Sequence, residues 1–178
     1  MTAARSFIQL CDSMEYLERA FDDAKYGGIS KKPYLDVTIP TLTDPALAPA
    51  GQHVLSAYVQ FTPYRLKSGD WKAGAEEVLE AVLRTLEEYA PGLRRLVVGR
   101  QVLTPKDIEA TYGMTGGHPS HGEPSLDQLF VARPLLGWGR YRTPVGGLYL
   151  CGAGTHPGGG VTGGPGANAA REIVKDLR

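Results

Sequence analysis

Apolar residues recur at helical spacing in two stretches of the chain. Met14, Leu17, Phe21 and Ala24 share one face behind Asp12 and Ser13, either of which can cap a helix. Glu15 adds an acid to the first turn, and Gly27 with Gly28 ends the run. From residue 75 to residue 89, Val78, Leu79, Val82, Leu83 and Leu86 form a stripe opposite Glu76, Glu77, Glu80, Arg84 and Glu87, stopped by Pro91 and Gly92. Between these helices the period shortens. Residues 33–42 (PYLDVTIPTL) and 52–62 (QHVLSAYVQFT) predict β-structure through Val37 and Ile39, then Val54, Tyr58 and Phe61, with the turn-rich DPALAPAG between them. Residues 93–103 (LRRLVVGRQVL) predict a further strand, and Thr104 and Pro105 open a short helix toward Tyr112. Ser125, Leu126, Asp127 and Gln128, after Pro124, have capping-box spacing and predict a helical turn.

The last third reads differently. Residues 113–166 hold sixteen of the twenty-three glycines, which calls for unusual backbone geometry there. Residues 143–170 (TPVGGLYLCGAGTHPGGGVTGGPGANAA) contain no Asp, Glu, Lys or Arg, and His156 is their one titratable group besides Tyr149 and Cys151. GLYLCG predicts a short buried strand, Gly154 to Gly160 a tight crossing, and Gly164 the start of a helix ending in REIVKDLR. Lys175 and Arg178 suit its negative C-terminal end. A strand, a glycine crossing and a helix N-terminus in series present free N–H groups to a flat or phosphorylated ligand; the same glycines also serve plain close packing. The dinucleotide fingerprint is incomplete. GAGTHP has Pro157 where a glycine belongs, and GGGVTG comes several residues after the strand, with no acid about 20 residues on.

Composition and charge narrow the classes. The chain has 178 residues, the size of one domain, and 42% hydrophobic content argues against wholesale disorder. Nineteen basic residues balance nineteen acidic ones, so no basic field points to nucleic acid or anionic membrane. No run reaches the ~18–20 apolar residues of a membrane span, and the N-terminus MTAARSFIQLCDSMEYLERAF, acidic from Asp12 onward, reads as neither signal peptide nor anchor. Cys11 and Cys151 lie far apart with no Cys-x-x-Cys, fitting a reduced compartment; the expected location is the cytoplasm.

The segment GLYLCGAGTHPGGGVTGGPGANAA resembles the C-terminal flavin-binding segment of phytoene desaturase-like FAD-dependent oxidoreductases, members of the amine oxidase superfamily. The likeness extends upstream through YLERAFDDAKYG, PYLDVTIPTLTDPALAPAG, HGEPSLDQLFVARP and GWGRYRTP, over nearly the whole chain. It implies an α+β fold: a substrate-domain β-sheet with flanking helices, and a C-terminal strand, glycine loop and helix that would complete an FAD-binding Rossmann-like domain. Residues 1–142 are then a substrate-domain portion and residues 143–178 the FAD-contact segment, with the N-terminal Rossmann half absent. By the same resemblance Gly152, Ala153 and Gly154 lie near the ribityl-pyrophosphate end of FAD, and Gly159, Gly160, Val161 and Thr162 pass beside the isoalloxazine. The helix from Gly164 aims its N–H dipole at the pyrimidine edge. Ala153 stands where many amine oxidase relatives carry an acid, so a ribityl contact there needs backbone or water.

The implied chemistry is hydride transfer to flavin by a C-terminal portion that neither binds FAD nor turns over alone. The implied partners are the missing N-terminal half or a partner chain, together with self-association through the unpaired GLYLC strand. The alternative is a non-catalytic α+β association module or split-enzyme subunit. His156, between two glycine runs, is the candidate catalytic side chain, against a solvent-facing loop histidine. His118, His121 and Glu123 lack the ligand spacing of structural zinc, so no metal is expected. Asp127 is accounted for by capping, and Arg133, Arg140 and Arg142 by surface solvation, with phosphate contact as the alternative.

Overall fold

A computed structural model describes residues 7–123 and 125–178. Residues 1–6, where the N-terminal stretch begins, and Pro124, ahead of the expected capping box, lie outside the described residues. The chain divides into two compact units, residues 1–104 and 105–178. The fold class is α+β, with a small antiparallel sheet and four α-helices among the described residues.

In the first unit, β1 (Phe7–Leu10), β2 (Leu35–Thr38) and β3 (Ser56–Val59) form an antiparallel sheet in the order β1-β2-β3. Leu10 pairs with Leu35, and Leu35 with Val59, so alternate residues put Leu10, Leu35, Val37, Ala57 and Val59 on one face. That face packs on Val78, Val82 and Leu86 of α2 (Trp71–Tyr89), and Leu35 is fully enclosed at 0% exposure. The opposite face is polar: Gln9 Nε2 donates to the Tyr34 hydroxyl (2.8 Å) and Asp36 Oδ1 (3.0 Å), and Gln60 Nε2 donates to Asp36 Oδ2 (2.6 Å). Helix α1 (Met14–Lys25) is capped by Ser13, whose Oγ accepts from the Tyr16 amide. Asp12 instead accepts from the Tyr89 hydroxyl at 2.6 Å, which pushes that phenol up to about 12. The expected α1 stripe is only partly used: Leu17 and Ala24 are half-buried, Met14 is exposed and Phe21 makes an edge contact with Phe61, while the buried residue of the helix, Ala20, lies outside the stripe.

Three expectations change in this unit. The β-structure expected over residues 33–42 and 52–62 is confined to β2 and β3, with Pro40–Leu42 a 3-10 turn and Ile39, Val54 and Phe61 outside the strands. Helix α2 starts at Trp71, four residues before the expected start at residue 75, because Asp70 Oδ1 caps the Ala73 amide. Gly74 keeps that turn slim: a Cβ there would come within 2.8 Å of the Leu66 side chain. The strand expected over residues 93–103 does not form. Leu93–Leu96 is a 3-10 turn, held to α2 by Arg94, whose guanidinium pairs with Glu80 (2.8 Å) and Glu87 (3.5 Å). Beyond it, residues 97–103 pair with no strand among the described residues and leave Val98 exposed.

In the second unit, α3 (Pro105–Tyr112) and α4 (Gly164–Asp176) flank a long irregular stretch of turns and 3-10 helices. Gly117 closes onto α3: its φ is +66°, and a Cβ would sit 2.2 Å from the Pro105 carbonyl oxygen. GLYLCG does not form the expected strand. It folds back on residues 141–143 through a single antiparallel bridge, Arg142 to Tyr149, with the Leu150 amide donating to the Tyr141 carbonyl (2.7 Å). No longer strand lies beside it among the described residues of this unit, so a lone local bridge is the pairing it finds. The turn at Leu126–Gln128 forms, but Ser125 does not cap it: its hydroxyl donates to Asp127, and the turn is closed by the Gln128 amide on the Ser125 carbonyl (2.8 Å).

Candidate functional site

The glycine segment of the second unit runs from the Arg142–Tyr149 bridge to the N-terminus of α4. Thr155 organises its first half: its amide and hydroxyl both donate to the Gly152 carbonyl at 3.0 Å, and its own carbonyl accepts from Gly158 at 2.7 Å. Tyr141 organises the second. Its buried ring delivers the hydroxyl to the His156 carbonyl (2.7 Å), while Asn168 Nδ2 of α4 donates to the same hydroxyl (2.8 Å). The loop is thereby tied to the first turns of α4.

Among the described residues, the amides of Gly152, Ala153, Gly154, Gly159, Gly160, Val161 and Thr162 donate no hydrogen bond. No side chain caps α4; the Gly164 amide reaches Thr162 Oγ1 in a local turn (3.2 Å). A Cβ on Gly152 would meet nothing within 4 Å, so the loop faces open space there, whereas Gly159 lies hard against Ser120, whose Oγ a Cβ would approach to 2.6 Å. The candidate residues therefore divide. Gly152, Ala153 and Gly154 follow the bridge, Gly159 to Thr162 form an exposed crest with Val161 fully in solvent, and Gly164 packs on Pro157. His156 is half-buried, with its ring 6.4 Å from that of Phe130.

Beside this loop is a cleft of about 170 Å³ lined by Ser120, Gln128, Leu129, Phe130, Arg133, Pro157, Gly158 and Gly159. Arg133 is not the surface arginine that composition suggests: it is 4% exposed. Its Nε donates to the Ala153 carbonyl (3.0 Å) and its Nη2 to the Ser120 carbonyl. Arg142 is committed elsewhere, with two nitrogens on the Asp176 carboxylate (2.8 and 2.7 Å) and a third on Glu172 (2.5 Å). Those bonds, with one from the Tyr149 hydroxyl, hold the Asp176 carboxyl at about 2. Burial lowers His118, whose Nδ1 accepts from the Ser120 amide (3.1 Å). Among the described residues no cluster of three His, Cys, Asp or Glu side chains could hold a metal, and no helix is long and apolar enough to cross a membrane.

The sequence is 47% identical to a rat protein, pyridine nucleotide-disulfide oxidoreductase domain-containing protein 2, over 170 residues that make up 94% of this chain and 29% of the relative. It is 36% identical over 141 residues to the lycopene-forming phytoene desaturase of Pseudescherichia vulneris (78% of this chain, 27% of the relative). The chain is similar to the C-terminal part of phytoene desaturase-like proteins. A further relative, the neurosporene-forming phytoene desaturase of Cereibacter sphaeroides, is 33% identical over 153 residues, 85% of this chain and 28% of the relative. No protein-family model matches the chain. The chain spans less than a third of the length of these curated relatives, and the matched stretch is their C-terminal part.

Sequence reasoning on this desaturase-like chain missed Tyr141, Asn168 and the buried role of Arg133. Each works through a backbone carbonyl or a lone hydroxyl, and such contacts leave no spacing signature. The one readable signal was Asn168, the sole carboxamide in a 28-residue stretch, 143–170, without charged side chains.

Proposed function

We propose that this chain is the closing portion of an FAD-dependent oxidoreductase, with residues 1–142 contributing part of the substrate domain and residues 143–178 the flavin-contact segment that completes a Rossmann-like domain. The observation that carries the reading is the row of free amides at Gly152–Gly154 and Gly159–Thr162, followed by a helix without a side-chain cap. Backbone polar groups left without internal partners need water or a ligand. A glycine row without side chains admits a flat ring to van der Waals distance, so the residues present fit the cofactor.

When bound, the flavin would accept a hydride from a substrate C–H bond, taking up the two electrons the substrate loses. The chain's own groups do the rest. Gly152, Ala153 and Gly154 would hold the ribityl-pyrophosphate end through N–H groups. Gly159, Gly160, Val161 and Thr162 would line the isoalloxazine, and the α4 N-terminus at Gly164 would favour negative charge at the pyrimidine edge. Tyr141 and Asn168 fix the loop to that helix, so the donors are in place before the cofactor arrives. His156, the titratable side chain between the two glycine runs, would handle a proton or tune the ring. The enzyme would be soluble and cytoplasmic, acting on an apolar, isoprenoid-like molecule.

Because the adenine and pyrophosphate grip would belong to the part outside this chain, the purified chain alone is expected to carry almost no FAD. Co-expression with the segment of the rat relative that precedes the matched stretch is expected to bring flavin absorbance to about one per complex. Stoichiometric flavin in the chain alone would overturn the division of labour. A stable complex with no flavin would overturn the flavin reading and leave a non-catalytic association module.

A further inference from the structure

Arg133 is a permanently charged group placed where it has no counter-charge. The residue is only 4% exposed, and among the described residues no carboxylate lies within ion-pair distance. Two of its nitrogens are occupied by the carbonyls of Ala153 and Ser120, which fixes the guanidinium plane. The third, Nη1, makes no hydrogen bond to the described residues. A buried cation without an anion costs free energy that a natural ligand can recover. A planar fork already held by two bonds loses little further entropy on taking a third.

The adjoining cleft of about 170 Å³ supplies the rest of a site. Leu129, Phe130 and Pro157 give it apolar walls, and Gly158 and Gly159 give it a side-chain-free edge beside the guanidinium. A bare inorganic anion would leave those walls wet, and a neutral ring would leave the cation unpaired. We propose that Arg133 and this cleft form a binding site for an anionic oxygen carried on a flat, apolar body. That chemistry has two sources: the reduced flavin, whose pyrimidine edge carries negative charge, or a carboxylate or enolate of the substrate or product. The site itself stands on Arg133 and the cleft; only the first source rests on the flavin reading.

The test uses the full 178-residue chain and follows the Gly158 and Gly159 amides and the Arg133 Nε–H by NMR during titration with benzoate, benzamide and inorganic phosphate. Benzoate is expected to shift all three and to bind about tenfold or more tightly than benzamide or phosphate, because it alone offers both the charge and the ring. Arg133→Met should weaken benzoate by a similar factor, about tenfold. Leu129→Trp, which fills the cleft and leaves both carbonyl bonds of Arg133 intact, should abolish the shifts and covers the case in which Arg133→Met fails to fold. Equal binding of benzoate and benzamide, or unchanged benzoate affinity in either folded variant, overturns the site. Reduced riboflavin added to the benzoate complex separates the sources: displacement of benzoate supports the flavin edge. Binding of benzoate that reduced riboflavin does not disturb supports the site with an organic acid as occupant and leaves the flavin reading to the co-expression experiment, because the chain alone is expected to hold almost no flavin.

Discussion

Gly159 and Ser120 touch so closely that a single methyl group decides whether the loop can keep its place. With Ser120 Oγ at 2.6 Å and Ser120 Cβ at 3.0 Å from a Cβ added to Gly159, Gly159→Ala is expected to destabilise the second unit by about 1–3 kcal/mol, the usual cost of overpacking. Ser120→Gly should recover most of that loss in the double variant, since it removes both clashing atoms; denaturant unfolding of the four proteins measures the coupling. Additive losses would mean the two residues do not meet. The individual site residues were legible to different depths. The glycine positions were readable because absent side chains and charges are themselves a pattern. Arg133 was not, because an arginine buried on carbonyl oxygens looks, in sequence, like any solvated arginine.

Elements held by ion pairs report on themselves through titration. Arg142 joins the Arg142–Tyr149 bridge to the last turns of α4 through Asp176 and Glu172. Its bonds lower the Asp176 carboxyl from 3.8 to about 2, so the folded state favours the carboxylate. The clamp is therefore complete above pH 3.8 and is lost as the pH falls through about 2. In Arg142→Gln the Asp176 midpoint, followed by carboxyl NMR, should rise toward 3.8, while an unchanged midpoint near 2 would mean another group holds it. In the first unit, Leu35→Ala at the enclosed centre of the sheet is expected to cost about 2–5 kcal/mol in thermal or denaturant unfolding. A cost below about 1 kcal/mol would place the core elsewhere.

Helix α2 was readable from its stripe, though its first turn was hidden by Gly74, which breaks the apolar period between Trp71 and Val78. Strand propensity in LRRLVVGRQVL and GLYLCG misled for a different reason. A strand is a relation between two segments, and among the described residues neither stretch has an extended partner. β1, only four residues long, gave no pattern to read.

At the scale of the whole molecule, the chain leaves apolar surface open that a larger assembly would cover. Leu96 and Val98 in the first unit and Leu126, Leu136 and Val161 in the second are all largely exposed. Exposed apolar side chains favour association where they adjoin, so the isolated chain is expected to self-associate, with sedimentation velocity showing a concentration-dependent shift; a monomer at every concentration would contradict this. The relatives are more than three times as long as the stretch they share with this chain. The proposed flavin contact rests on the amides of Gly152–Gly154 and Gly159–Thr162. Hydrogen exchange at those positions, in the complex with the upstream segment of the rat relative, tests it most directly. Adding FAD is predicted to slow their exchange at least about tenfold while leaving β2 unchanged. Exchange at these amides that is the same with and without bound FAD would contradict the account.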